Sequence, residues 1–542
     1  MDQKIHMSEI LDLIFAHIGE DEPGVYFSRK ERSRKLALLA RTCRTFQNPA
    51  LDALWQFQDN LAPALRCFPD DLWDRSADSK KTTFVGFRRP LVLSDWERPF
   101  FYWNRIKSFQ IRSLTTTTPA VCEMLRLCCP GPHLFANLQE IAWLHRDLTH
   151  FPIFSIFLSP RLHTIGLALS GSIAELSILP RLSVCYPTLT EVNFRSIYRT
   201  HLEPRALGAI FAFLSSLTRL ESLYLPNIDA PILNHVSRLP CLRTLVMDDS
   251  EPFDFSSDRD RSAPRFHALK KLNVWATTPK LGTRIMRAIE SGALTEIHLV
   301  FESQFPSSQA TARLYTTIAS NGSHSTLQSL RVEDEWKFGD IPIPLDEEFD
   351  NYIVGGGTLE ILFPFANLTT VILKPFHGFD LDDEMVAKMA HAWRRVQELR
   401  VAFGIDWHIP DVRTPRVTLA GIYTVATHCL DLHTLELYFN SSVIPPLERT
   451  HTHAGLVKLD VLCSPISSPT AVAQFLSKVF PNLREIHSIC YAQDRHQRAV
   501  EGRWRKVARL ITGSTIRSRF EESTDEEPSD TDYGDDDDDS DE

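Results

Sequence analysis

Leu220-Glu221-Ser222-Leu223-Tyr224-Leu225 sets out the pattern that decides the fold: apolar, two polar residues, apolar, one variable position, apolar. The same phrase returns at Leu189-Thr190-Glu191-Val192-Asn193-Phe194, Leu269-Lys270-Lys271-Leu272-Asn273-Val274, Leu294-Thr295-Glu296-Ile297-His298-Leu299, Leu327-Gln328-Ser329-Leu330-Arg331-Val332 and Leu432-His433-Thr434-Leu435-Glu436-Leu437. Further starts at Ile106, Leu138, Leu162, Leu242, Leu368, Val396, Leu456 and Leu483 bring the series to 14, spaced 22 to 41 residues apart. Many share a lead-in of an aromatic or Pro and a small residue, as in Phe135-Ala136-Asn137-Leu138, Phe365-Ala366-Asn367-Leu368 and Phe480-Pro481-Asn482-Leu483. A short apolar strand recurring at such intervals predicts a solenoid, because no single unit can bury its own apolar face. Helices are expected in the intervals, for example over 206–217, 387–396 and 471–479.

These residues resemble the leucine-rich-repeat family, whose unit reads LxxLxLxx(N/C)xL, although the Asn or Cys at the ninth position is mostly missing: Arg146 and Ile228 stand there. The resemblance implies an α/β fold, an irregular leucine-rich-repeat solenoid or horseshoe with parallel strands and helical returns. Side chains alternate across a strand, so with the leucines inward the intervening residues face the concave surface. Candidate partner-binding positions there are Tyr224, Trp275, His298, Arg331, Lys374, Arg400, Glu436 and Tyr438; Tyr, Trp and Arg are common interface anchors.

Ahead of the repeats, Met7, Ile10, Leu11, Ile14, Phe15 and Ile18 fall on one helical stripe,. Leu36, Leu39, Cys43 and Phe46 form a second stripe with Leu38 beside it, and Asn48-Pro49 is expected to open a third helix carrying Leu51, Leu54 and Trp55,. Three such helices in so few residues need a surface to cover them. Here the chain resembles an F-box, through Glu9-Ile10-Leu11, Ile14-Phe15, Ile18, Leu38-Leu39-Ala40, Cys43-Arg44, Phe46 and Leu54-Trp55, with His6-Met7 where the family usually has Leu-Pro. F-box and leucine-rich repeats together are similar to a class of fungal substrate receptors. That resemblance implies an adaptor subunit and a cullin scaffold as partners, with Met7, Ile10, Leu11, Ile14, Phe15, Leu38, Leu54 and Trp55 on the adaptor and an unknown protein substrate on the repeats. The implied role is the substrate-recognition subunit of a cullin-type ubiquitin ligase. The alternatives are a leucine-rich scaffold without a ligase, and helices that merely cap the first repeat.

The expected organisation is a helical module over 1–60, a linker or N-terminal cap over 61–105, the solenoid with its C-terminal capping helix over 106–512, and an acidic disordered tail over 513–542. The formal net charge of −11 comes from that tail: residues 521–542 hold 14 Asp and Glu and no Lys or Arg, leaving +3 for the rest. A nearly neutral body gives no basis for nucleic-acid binding. Basic residues around Trp504, with Val500, Val507 and Leu510, are expected to form the closing helix.

Ten scattered cysteines without a CxxC pair are expected to be reduced core residues,. No signal-peptide or membrane-span pattern appears, which points to a cytoplasmic or nuclear protein without a membrane partner. No GxxxxGK(S/T), HExxH, GxSxG or strand-coupled GxGxxG is present,. Gly355-Gly356-Gly357 is expected to be a loop tip, and His451 with His453 a solvated loop. His145 and His150, five apart, do not share a helix face as ligands must,. The expectation is therefore a non-enzyme without cofactor or metal.

Overall fold

The computed structural model describes residues 10–11, 13–15, 17, 29–78, 81–114, 116–196, 202–226, 229–250, 265–276, 279–302, 306–335, 351–403, 414–446, 451–488 and 495–512. Met7, Ile18 and the acidic tail lie outside them.

Two compact units divide the chain, Met1–Leu269 and Lys270–Glu542. The first holds parallel strands β1 (Phe57–Gln58), β2 (Ser108–Ile111), β3 (Glu140–Trp143), β4 (Thr164–Leu169), β5 (Glu191–Ser196), β6 (Ser222–Pro226) and β7 (Thr244–Ser250), each paired with the next. The second holds β8 (Lys271–Ala276), β9 (Glu296–Phe301), β10 (Ser329–Asp334), β11 (Thr370–Lys374), β12 (Glu398–Val401), β13 (Thr434–Leu437), β14 (Lys458–Asp460) and β15 (Glu485–His487), again in chain order. Helices return between most strands, so the fold is α/β, of the leucine-rich-repeat solenoid kind.

All 14 repeat starts precede a strand by two residues, from Ile106 before Ser108 to Leu483 before Glu485. The lead-in explains this constancy. The N–H of Leu138 donates to the Phe135 carbonyl (3.1 Å), Leu189 to Tyr186 (3.2 Å) and Leu483 to Phe480 (3.2 Å), a tight turn that delivers the leucine into the core. The next carbonyl along then accepts two N–H groups from the following repeat, as Thr369 does from Gln397 (2.7 Å) and Glu398 (3.1 Å).

The missing asparagine ladder has a substitute in the lead-in. Asn137 donates to the Asn104 carbonyl (2.8 Å), Asn367 to Ser325 (2.9 Å) and Asn482 to Ala454 (2.9 Å), each reaching the preceding repeat from the residue just before its own start. Side-chain caps begin many of the return helices, Ser172 with Glu175 in a reciprocal capping box and Asp229, Ser307 and Asp382 singly,.

Several expectations are corrected. The repeat frame starts earlier than Ile106: β1 pairs with β2, so Trp55 occupies the leading position of a further repeat inside the stretch assigned to the helical module. Asn48-Pro49 does not open a helix, because the helix Arg44–Gln56 has Cys43 as its N-cap and runs through Pro49. Cys43 therefore follows the helix Arg29–Leu39 rather than lying on its face, and is exposed. Gly355-Gly356-Gly357 is no loop tip: Val354–Gly355 pairs with Phe379–Asp380, and Gly356 opens a short helix where a Cβ would lie 3.1 Å from Met385.

His453 is buried, donating from Nε2 to the Cys429 carbonyl (2.8 Å) and accepting the Leu456 N–H at Nδ1 (3.1 Å). Cys67, Cys122 and Cys429 are core residues whose thiols burial pushes up to about 12, whereas Cys128 and Cys185 are exposed. At the end of the second unit, the helix Arg495–Thr512 buries Val500, Trp504 and Val507, with Trp504 Nε1 donating to the Ser464 carbonyl (2.8 Å); Leu510 is exposed instead. No helix among the described residues is long and apolar enough to cross a membrane.

Candidate docking surfaces

Two groups of residues come into question, on the N-terminal helices and on the sheet face. The helices own a small core of Phe15, Leu36 and Ala50, against which Leu11, Leu39, Phe46 and Leu54 pack, with Phe15 and Phe46 edge-to-face at 5.5 Å. Phe15, Leu11 and Leu54 therefore hold the module together, since a side chain committed to a core contact has little surface to offer a partner. Trp55 is also used internally: it stacks on Tyr102 (4.9 Å), while Arg105 bonds Asn48 (2.9 Å) and pairs with Asp52. These contacts fix the helix Arg44–Gln56 to the helix Glu97–Trp103 and the residues after it, and Trp103 joins the aromatic cluster of Phe68, Trp73, Phe84 and Trp96 and meets Phe135 of the next repeat.

What stays outside is apolar. Ile10 is 56% exposed, Ile14 48% and Leu38 57%, and Leu13, absent from the sequence stripe, is 71% exposed. Ile10, Leu13 and Ile14 fall at i, i+3 and i+4, which places them on one helix face. Leu13 escaped the sequence reading because the stripe was phased on Leu11 and Phe15, which turn inward.

The sheet-face residues fare differently. Tyr224 is half-buried, donates to Asp248 (2.8 Å) and has the Arg195 guanidinium 5.4 Å over its ring. Trp275 meets His298 edge-on at 6.0 Å, and His298 lies 3.5 Å from Glu333. Burial pushes the Glu333 carboxyl up, but the His298 hydrogen bond and the charges of Lys374, His298 and Arg331 outweigh it and leave its pKa lowered.

Arg331 pairs with Glu398 (3.7 Å), and Arg400 bridges Glu398 (2.7 Å) and Glu436 (3.5 Å). Lys374 and Glu436 are both buried and 2.8 Å apart, which corrects their assignment as open recognition residues. The shortest of these are ion contacts rather than aligned hydrogen bonds, since Arg400 Nε and Glu436 Oε1 satisfy no hydrogen-bond geometry. Tyr438 packs with Phe403, Ala402 and Leu462 just past the strand ends, and burial raises its phenol.

Strand alternation gives the face of a residue but not its depth; for Tyr438 the segments leaving β12 and β14 supply the covering residues Ala402, Phe403 and Leu462. At the end of β10, Asp334 is buried and accepts the Phe376 N–H (2.8 Å); burial pushes its carboxyl up to about 8. Burial likewise pushes the neighbouring His377 down to about 4.

No protein-family profile matches the chain, and no curated protein sequence matches it. Among solved structures it is similar to the yeast Rad7 and Elc1 complex at 10% identity and a TM-score of 0.34, covering 96% of this chain and 95% of that one. A Bacteroides fragilis protein is similar at 11% identity and a TM-score of 0.23, covering 55% of this chain and 68% of that one.

Proposed function

We propose that the chain is a non-enzymatic substrate receptor of a cullin-type ubiquitin ligase, docking an F-box adaptor through its N-terminal helices and a protein substrate through its repeats. The observation that carries the reading is that, among the described residues, Ile10, Leu13, Ile14 and Leu38 stand exposed outside the small core of Phe15, Leu36 and Ala50. Burying one such side chain stabilises a complex by about 1.5–3 kcal/mol, so a few together supply the main attraction of a small docking site. The F-box resemblance of the same segment names the partner chemistry.

Scaffold function without a ligase is the second reading, favoured by the Trp55–Tyr102 stack and the Arg105 contacts, which use the third helix to close the repeats.

Ile14→Asp separates the two. At an adaptor contact the carboxylate would be desolvated and unpaired, costing several kcal/mol, on the order of a micromolar complex lost. Because Ile14 is outside the core, the melting temperature should hold. Phe15→Asp, by contrast, should lower the melt. Wild-type protein that fails to pull down the adaptor overturns the ligase reading and leaves the scaffold.

A further inference from the structure

After β3 the chain turns through Leu144, His145, Arg146 and Asp147 into the 3-10 helix Leu148–Phe157. Asp147 is its N-cap, with Oδ1 accepting the Thr149 N–H (2.9 Å) and hydroxyl (2.7 Å). Its second oxygen, Oδ2, faces His150 Nδ1 at 3.0 Å. His145 comes in from the loop, its ring 5.0 Å from that of His150 and nearly perpendicular. One ligand-type atom from each of the three lies within 4.8 Å of the others. The two histidines share no helix face, as expected, but they lie on different elements and the turn brings them together all the same.

A histidine capping pair alone would explain Asp147 and His150. It leaves His145 unexplained. Its Nδ1 lies 3.3 Å from the Arg112 carbonyl, which can only accept, so that nitrogen carries the proton and Nε2 carries the lone pair,. That Nε2 is buried and has no hydrogen-bond partner among the described residues. A buried acceptor left unsatisfied is destabilising, so its retention calls for a ligand. Metal-bound histidines show this same arrangement, with the other ring N–H donated to a carbonyl or carboxylate.

We propose that His145 Nε2, Asp147 Oδ2 and a ring nitrogen of His150 bind a divalent first-row transition-metal ion, with zinc the best fit. Two imidazoles and one carboxylate suit that class, and a tetrahedral ion keeps its fourth position for water. Ligands of a tetrahedral zinc sit roughly 3.3 Å apart; Asp147 Oδ2 and His150 Nδ1 are already 3.0 Å apart, so the closing movement is chiefly that of His145 and at most about 1.5 Å,, within reach of a loop. Asp147 keeps its Oδ1 cap while Oδ2 exchanges the His150 N–H for the ion. The bound ion ties the loop after β3 to the helix that follows it.

The test titrates chelator-treated full-length protein with Co²⁺ alone, reads the visible d–d absorption of a tetrahedral site, and then displaces the ion with Zn²⁺. One saturable equivalent is expected. His145→Gln and His150→Gln should each weaken binding by more than the ~10–100-fold that loss of an outer-shell partner costs. Far-UV circular dichroism and the metal-free melt check that each variant is folded. His391→Gln, which removes one of the adjacent pair His391 and His428 in the second unit (ring centroids 3.9 Å apart), should leave binding unchanged. Absence of a saturable equivalent overturns the proposal, as does a thiolate-to-cobalt charge-transfer band, binding that persists in a folded His145→Gln/His150→Gln double variant, or loss that follows His391→Gln instead.

Discussion

The central position of each strand reads very differently in the two units. In Met1–Leu269 the row runs Gln110, Ala142, Gly166, Asn193, Tyr224, Val246, in direct register. In Lys270–Glu542 it runs Asn273, His298, Arg331, Ile372, Arg400, Glu436, Asp460, His487. The first row is neutral and largely small, and it is crowded laterally, since a Cβ on Gly166 would lie 3.3 Å from Ala142. The second is charged and has matched its charges internally.

A partner approaching the first row meets the uncharged, half-buried side chains of Gln110, Asn193, Tyr224 and Val246. One approaching the second must compete with ion pairs that the protein already makes. Charge on a sheet face is therefore not by itself evidence of recognition, because the same residues can be the adhesive between neighbouring strands.

The sharpest way to break this contrast is Glu436→Ala. It leaves Lys374 buried without its carboxylate, and breaking a buried pair costs about 3–5 kcal/mol. Urea unfolding should show that loss. The double variant Lys374→Leu/Glu436→Leu should recover most of it, because replacing a whole buried pair by apolar residues is often neutral. A single variant as stable as wild type would mean that the pair is solvated and available to partners.

A smaller, pH-dependent effect belongs to Asp334. Its carboxyl, at about 8 in the folded protein against an ordinary 3.8, keeps a proton that the unfolded chain gives up. The stability this contributes is fully present below pH 3.8 and is lost as pH rises through 8,. The substitution Asp334→Asn keeps an acceptor for the Phe376 N–H and removes the titration. It should therefore melt above wild type at about pH 9, and the gap should close toward about pH 5. Parallel melting curves across that range would contradict the assignment.

The sequence reached the strands because the physics there is local and repeated: an aliphatic residue, mostly leucine, two residues ahead of each of the 14 strands, its N–H held at several of them by an aromatic residue's carbonyl. It missed the repeat led by Trp55 because a tryptophan stands where the pattern has leucine, and because a helix runs directly into that strand. It assigned Phe15 to a partner for a different reason. A helical stripe shows which residues are apolar, not which side of it the neighbouring helix covers, and Leu36 and Phe46 took the Phe15 side. The depth of Lys374 and Glu436 is a tertiary property that no periodicity encodes, and the meeting of His145 with His150 depends on the turn after β3.

The gentlest probe concerns the first row. Tyr224→Phe removes the hydroxyl that donates to Asp248 and keeps the ring under Arg195. A hydrogen bond to a charged group is worth about 1.5–3 kcal/mol, but both partners are half-exposed, so water replaces much of it and the expected loss is about 0.5–1 kcal/mol. Tyr224→Ala removes the ring as well, with its cation–π contact of about 0.5–1 kcal/mol at an exposed site. If the first row is the face a partner uses, Tyr224→Phe should leave both fold and binding nearly intact, while Tyr224→Ala should weaken capture of co-purifying substrate far more than it lowers the melting temperature. Equal effects on both measurements would make Tyr224 a structural residue like Glu436 and erase the distinction between the rows.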